Sequence, residues 1–289
     1  MKTVIMGASG LLGNYLMQHP FFKNAIGTAC SKLNTQLNRL DLTLQDDTEK
    51  FLSQLYPEHI IHTVALTDVD FCEENVTKAY LVNVETTKNI VSWIRRFSPT
   101  TKLTYISTDH IYNGKGPHRE KDASPSNVYS LTKLYSEDIA SQVDRYLVLR
   151  VNFFGYGINV KDTLSDWIIK GLRQEKRIHL FRDVLFSPLH LEHVVDSIVE
   201  CTIQDIKGVY NLGSSGEGIS KAEFAKLIAE VFNLSCENME IISVADSKLK
   251  TYRPRDMRMS VGALESALGH RMPTIREGVE LMHKKMEVF

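Results

Sequence analysis

The N-terminal stretch from Thr3 to Gly13 constrains the fold most. Thr3-Val4-Ile5-Met6 is a short apolar, β-branched run ending at Gly7-Ala8-Ser9-Gly10-Leu11-Leu12-Gly13, and Asn14 to His19 then has helical texture. The order is strand, glycine turn, helix. Gly7 permits the tight turn, Gly10 lets backbone approach an anion, and Gly13 lets the helix pack close to the strand. The helix N-terminus then offers amides to a phosphate. A dinucleotide would bind here, with Gly7, Ser9, Gly10, Leu11, Leu12 and Gly13 as candidate contacts. The spacing is Gly-x-x-Gly-x-x-Gly, and a glycine-rich turn without a ligand would look the same.

The following segments repeat the alternation of strand and helix. Ala25 to Cys30 reads as the second strand, and the group that holds an adenosine ribose is expected at its end. No carboxylate stands there. Ser31 and Lys32 supply a hydroxyl and a cation, which suit a 2′-phosphate and favour NADPH, with NADH as the alternative; Lys32 as a plain loop residue is the competing reading. Asp41 and Leu42 are candidates to flank the adenine, and Asp41 equally suits a turn or cap.

His59 to Ala65 is a strand too apolar to be exposed on both faces, and it delivers Ala65, Leu66 and Thr67 to the ligand edge of a parallel sheet. His59 and His62 point to opposite faces, so they form no metal pair. Asn75 to Phe97 reads as one long helix with Val82, Val91, Trp93 and Ile94 toward the sheet. Lys102 to Ile106 is a strand that presents Ser107, Thr108, Asp109 and His110 at the same edge, and Asn113 to Asn127 is a surface loop. Arg145 to Val151 gives one more strand. The expected fold class is therefore α/β, a Rossmann-type doubly wound parallel sheet.

Tyr129 and Lys133 stand four residues apart in a segment rich in helix formers, which places both on one helical face. A cation about 4 Å from the phenol, at an effective dielectric near ~20, is worth roughly 4 kcal/mol, or about three pKa units. That would bring a tyrosine toward neutrality and make Tyr129 a candidate proton donor. With 11 tyrosines in the chain, such a pair alone also describes a solvated helix face; its place beside Ser107 and Thr108 favours chemistry.

Beyond Asn152 the texture changes. Phe153 to Gly157 is aromatic and loop-like, Asp162 to Gln174 is helical, Phe186 to Leu189 reads as a turn, and Gly208 to Gly213 returns to strand. Ser220 and Glu223 form a capping pattern ahead of an apolar stripe through Phe224, Leu227, Ile228 and Val231. Residues 1–152, rejoined by about 183–213, are expected to form the dinucleotide-binding domain, with 153–182 and 214–289 as a smaller C-terminal α/β substrate lobe. Arg253 and Arg255 lie in a loop of that lobe where they would clamp a diphosphate or simply face solvent.

The 34 basic and 35 acidic residues nearly cancel and form no basic stripe, which argues against nucleic acid or an anionic membrane as partner and for a small ligand. Cys30, Cys72, Cys201 and Cys236 are widely spaced, which fits buried free thiols in a reducing compartment rather than a disulfide or zinc framework. His190-Leu-Glu-His193 lacks the spacing of a zinc site, and no metal is expected. An apolar signal region and an 18-residue apolar run are both missing, so the expected compartment is the cytoplasm.

The combination of Gly7-x-x-Gly10-x-x-Gly13, Ala65 to Asp70, Ser107-Thr108-Asp109, Tyr129-x-x-x-Lys133 and Arg253-Pro254 resembles the extended short-chain dehydrogenase/reductases, in particular the dTDP-4-dehydrorhamnose reductase-like branch. The resemblance covers nearly the whole chain. It implies a nicotinamide cofactor, a nucleotide-sugar substrate, and an arrangement compatible with a homodimer. Thr108 matches the hydroxyl that meets the substrate oxygen, Tyr129 the acid/base, and Lys133 the residue that tunes the phenol and holds the nicotinamide ribose. Asp109, His110, Asn152, Phe153 and Arg253 fall on the substrate side, and Ser107, Ala65, Leu66 and Thr67 on the cofactor side. The implied activity is NADPH-dependent reduction of a 4-keto sugar. An epimerase or dehydratase of the superfamily and a non-catalytic cofactor-binding regulatory subunit are the alternatives. His110, Phe153 to Gly155 and Phe186 to Leu189 depart from the branch, and all three stretches concern the sugar.

Overall fold

The computed structural model describes residues 1–31, 36–157, 162–247 and 249–286. In chain order the first part contains β1 (Thr3–Met6), α1 (Leu11–Gln18), β2 (Ile26–Ala29), β3 (Asn38–Arg39), α2 (Gln45–Leu55) and β4 (His59–His62). There follow α3 (Val69–Glu74), α4 (Val76–Tyr80), a π-helical turn (Leu81–Glu85), α5 (Thr86–Phe97), β5 (Lys102–Thr108), α6 (Val128–Ala140) and β6 (Tyr146–Val151). Next come β7 (Phe153–Phe154), α7 (Leu164–Arg173), β8 (Ile178–Phe181), β9 (Leu185–Phe186), β10 (Leu189–His190), α8 (Leu191–Ile203) and β11 (Gly208–Leu212). The chain closes with β12 (Ile219–Ser220), α9 (Lys221–Val231), β13 (Met239–Ile242), β14 (Asp256–Met257), α10 (Gly262–Leu268) and α11 (Ile275–Met286).

Seven strands build one parallel sheet in the order β11-β6-β5-β4-β1-β2-β3. Its inner strands are apolar on both faces because helices cover both. Val4 and Met6 of β1 and Ile60 of β4 pack with Leu103 and Tyr105 against α2 and α5, whereas Ile5 and Ile61 pack with Leu147 and Leu149 against α1, α8 and α10. Chain order reverses at β1, which lies between β2 and β4, so the carboxyl ends of β1 and β4 open the crevice where such sheets take ligands.

The remaining strands form three small sheets, β7 with β10, β8 with β13, and β12-β9-β14. A separate core joins them to α7, α9 and α11 through Phe154, Ile168, Leu180, Phe186, Phe224, Ile228 and Val279. The strap between β5 and α6 is fastened to this part of the molecule. Gly116 N donates to Asp256 Oδ2 at 2.8 Å, His118 N to Arg258 O at 2.7 Å, and Ser260 N to His118 O at 2.8 Å. His118 also stacks on Tyr112, with ring centroids 4.9 Å apart.

The structure departs from the sequence reading in four places. The first helix begins at Leu11, inside the glycine stretch, rather than at Asn14. The expected helix over 75–97 is divided by the π-helical turn, and the extra residue rotates Asn83 and Val84 inward while Val82 is only half-buried. Of residues 186–189, Phe186 ends β9 and Leu189 opens β10, so the expected turn shrinks to the connection Ser187-Pro188. Cys30 and Cys236 are exposed, unlike the buried Cys72 and Cys201, because both sit in connections beyond element ends. Among the described residues no helix is long and apolar enough to cross a membrane.

Candidate active site

The glycine turn forms one wall of a cavity of about 470 Å³. Gly7 has φ 84°, a conformation side chains rarely adopt, and a Cβ there would meet Thr63 Oγ1 at 2.8 Å and Val64 Cγ2 at 2.9 Å. A Cβ on Gly13 would collide with the carbonyl oxygen of Gly7. The two glycines therefore let α1 begin directly above the end of β1. Gly10 caps α1 without a side-chain hydrogen bond, and the first turn holds no acidic residue. Backbone donors and the positive end of the helix dipole are thus left to an anion, which fits the pyrophosphate of a dinucleotide.

Facing this wall, β5 and α6 bring Thr108, Tyr129 and Lys133 to the same cavity. Asn127 caps α6 by accepting from Ser130 N at 2.9 Å, which fixes where Tyr129 enters the helix. Tyr129 is 6% exposed. Burial pushes its phenol well above the ordinary range, and a hydrogen bond with the Thr108 side chain opposes this only in part. Lys133 does not neutralise the shift. Its Nζ donates to Ile106 O at 2.7 Å and lies 4.1 Å from the centroid of the Tyr105 ring. Burial lowers the Lys133 amine to about 7, with Glu137 opposing. The expected cation-driven fall of the Tyr129 pKa is therefore absent here, because loss of water dominates both groups and drives them in opposite directions.

This has a measurable consequence for stability. Because the folded value of Lys133 lies near 7, below its ordinary 10.5, the unfolded chain binds the extra proton between those limits. Stability should rise with pH across that window. Chemical denaturation of the cofactor-free protein should show wild type gaining on Lys133→Met from pH 7 toward pH 10, and a flat difference would place the titration elsewhere.

Ser107 also borders the cavity, but its hydroxyl donates to Glu137, which is fully engaged by Arg150 through Nη2 to Oε2 at 2.6 Å and Nε to Oε1 at 3.1 Å. Asp109 is held by Asn152 Nδ2 at 2.7 Å, and Phe153 lies alongside. His110 packs edge-on against Tyr129 with ring centroids 5.7 Å apart; burial lowers its pKa, and its Nδ1 has no hydrogen-bond partner. Ala65 and Thr67 line the cavity, whereas Leu66 is turned into backbone support, its N–H donating to Asn83 Oδ1 at 2.7 Å.

Other sequence candidates stand apart from this cavity. Asp41 closes a turn by accepting from Thr43 Oγ1 at 2.7 Å, and Leu42 is 5% exposed within the sheet core. Ser31 is exposed at the end of β2, Ser9 is half-buried in the turn, and Lys32 lies outside the described residues. Arg253 forks onto Asp70 at 3.2 and 3.1 Å, and Arg255 faces Asp183 at 3.7 Å, so neither stands as a free diphosphate clamp. His59 and His62 are buried, bonded to Thr104 and Thr86, and held near 3 by loss of water. No group of acidic, histidine or cysteine side chains able to hold a metal occurs among the described residues.

Several contributors escaped the sequence reading. Thr63, Ile106, Val151 and Thr163 line the cavity. Thr163 was accessible as the first residue of a Thr-x-x-Asp capping box with Asp166. Asn83 had no local signal. The π-helical turn aims its amide at Leu66 and, at 3.0 Å, at Thr132, tying the β4 loop to α6 between Tyr129 and Lys133.

Known proteins resemble this chain over nearly its whole length. The probable low-salt glycan biosynthesis reductase Agl14 of Haloferax volcanii is 25% identical over 291 residues, spanning 96% of this chain and 95% of that protein. Methionine adenosyltransferase 2 subunit beta of Xenopus laevis is 28% identical across 94% of this chain and 84% of its own. The crystal structure of dTDP-4-dehydrorhamnose reductase from Bacillus anthracis in complex with NADP superposes with a TM-score of 0.86 at 23% identity, covering 99% of both chains. Residues 1–288 match the family described as RmlD substrate binding domain, and with the match running essentially end to end the chain belongs to that family.

Proposed function

We propose that this protein is an NADPH-dependent reductase of a nucleotide-activated 4-keto (deoxy) sugar. Reductases are among the relatives, and a structure of the same fold holds NADP. The observation that carries the assignment is the convergence of Thr108, Tyr129 and Lys133 on the cavity walled by the Gly7 to Gly13 turn. The turn and the first amides of α1 would hold the pyrophosphate, and Lys133 the nicotinamide ribose. Bound there, the cofactor supplies the hydride. Tyr129, kept protonated by burial, donates to the sugar oxygen as the carbonyl is reduced, with Thr108 positioning that oxygen. The lobe built on α7, β8 and α9 closes the sugar side, so residues 153–182 and 214–289 serve as the substrate lobe.

Purified protein should oxidise NADPH when given a 4-keto-6-deoxy nucleotide sugar and leave it unchanged without one. A second reading is favoured by the methionine adenosyltransferase subunit among the relatives: a cofactor-binding regulatory subunit. Absence of turnover across a panel of keto sugars, together with a stoichiometric partner enzyme in pull-downs, would decide for it.

A further inference from the structure

Lys221 opens α9, with its backbone N–H anchored to Val184 O at 3.0 Å. Its ammonium lies 3.2 Å from the centroid of the Phe186 ring, half-buried, and makes no hydrogen bond or ion pair among the described residues. The position is unfavourable for a cation on two counts. It sits at the positive end of an 11-residue helix, and the aromatic floor removes water from one side. The ring face gives the ammonium a cation–π contact but no acceptor, so its N–H groups make no hydrogen bond among the described residues.

The surroundings place that charge beside the substrate side of the site. Phe186 ends β9; a few residues on, Leu189 N donates to Asn152 O at 2.9 Å, and Asn152 in turn holds Asp109 at 2.7 Å. Asp109 draws the Lys221 charge and His110 is repelled by it, while burial lowers the amine to about 8. The other cation felt by His110, Arg253, is already committed to Asp70.

We propose that Lys221 is the anion receptor of the sugar pocket, binding a phosphate or carboxylate oxygen of the substrate through ammonium N–H groups that have no hydrogen-bond acceptor among the described residues. This rests on the reading of the substrate as a nucleotide sugar. The test is calorimetric binding to NADP⁺-saturated wild type, Lys221→Met and Lys221→Arg, using UDP-glucose, dTDP-glucose and UDP-glucuronate as probes, with thermal midpoints recorded alongside. If the anion is the diphosphate, Lys221→Met weakens all three probes by roughly tenfold or more and Lys221→Arg restores them. If it is a carboxylate on the sugar, only UDP-glucuronate weakens and its preference over UDP-glucose disappears. Unchanged affinities for all probes in Lys221→Met, equal losses in Met and Arg variants, or no binding of any probe by wild type would overturn the proposal. These outcomes are read without turnover, so failure of the reductase assay with intact Lys221-dependent binding would strike the reaction and not the receptor.

Discussion

With Tyr129 replaced by Phe, reduction of a 4-keto nucleotide sugar at saturating NADPH falls by ~10²–10⁴-fold, while affinity for NADP⁺ stays unchanged. The phenol lines the cavity together with Thr108, with which it shares a hydrogen bond, and burial keeps it protonated. The substitution removes one oxygen and leaves the ring packed among Val69, Cys72 and Ala79, so folding is preserved. Lys133 is not a substitute donor in this reading, since it gives one N–H to Ile106 O beside the face of Tyr105 and is assigned to the cofactor ribose. The decay of NADPH absorbance measures the rate, and calorimetry measures cofactor affinity. Turnover close to wild type would remove Tyr129 from proton transfer.

Arg150→Met should be the most damaging change to the fold beneath the site, at about 3–5 kcal/mol. Arg150 and Glu137 are 4% and 3% exposed and form a forked pair, with Arg150 Nη1 also donating to the Tyr112 hydroxyl at 2.8 Å. Removing the guanidinium strands a carboxylate that still accepts from Ser107 at the cavity wall. Adding Glu137→Gln should recover much of the loss, because an amide carries no charge to strand. Denaturant titrations of the two single variants and the double variant would show the coupling; simple additivity would mean that the pair acts as two independent side chains.

The alternation of elements was legible because β1, β4, β5 and β6 are apolar on both faces and separated by helical stretches, a pattern that only a covered parallel sheet satisfies. The site was legible where chemistry needs particular residue types at short spacing, as at Gly7 to Gly13 and Tyr129 to Lys133. It was not legible where function depends on non-local geometry. Asn83 reaches Leu66 only because the helix gains a π-helical turn, and Lys221 meets Phe186 across 34 residues of intervening chain. The pKa of Tyr129 went the other way from expectation for the same reason. Spacing along a helix gives the distance to a charge, but not how much water the whole fold excludes.

The strap from β5 to α6 leaves Thr108 at one end and Tyr129 at the other, and its middle is pinned to Asp256 and Arg258. In mechanical terms it is a tether with three fixed points. Length changes within residues 113–127 cannot be absorbed as slack, as they are in an ordinary surface loop, but must be taken up at the anchor or passed on to Thr108 and Tyr129. The C-terminal lobe and Tyr129, the proposed proton donor, are therefore bound to drift together in evolution: a chain that reshapes one has to re-tune the tether that positions the other.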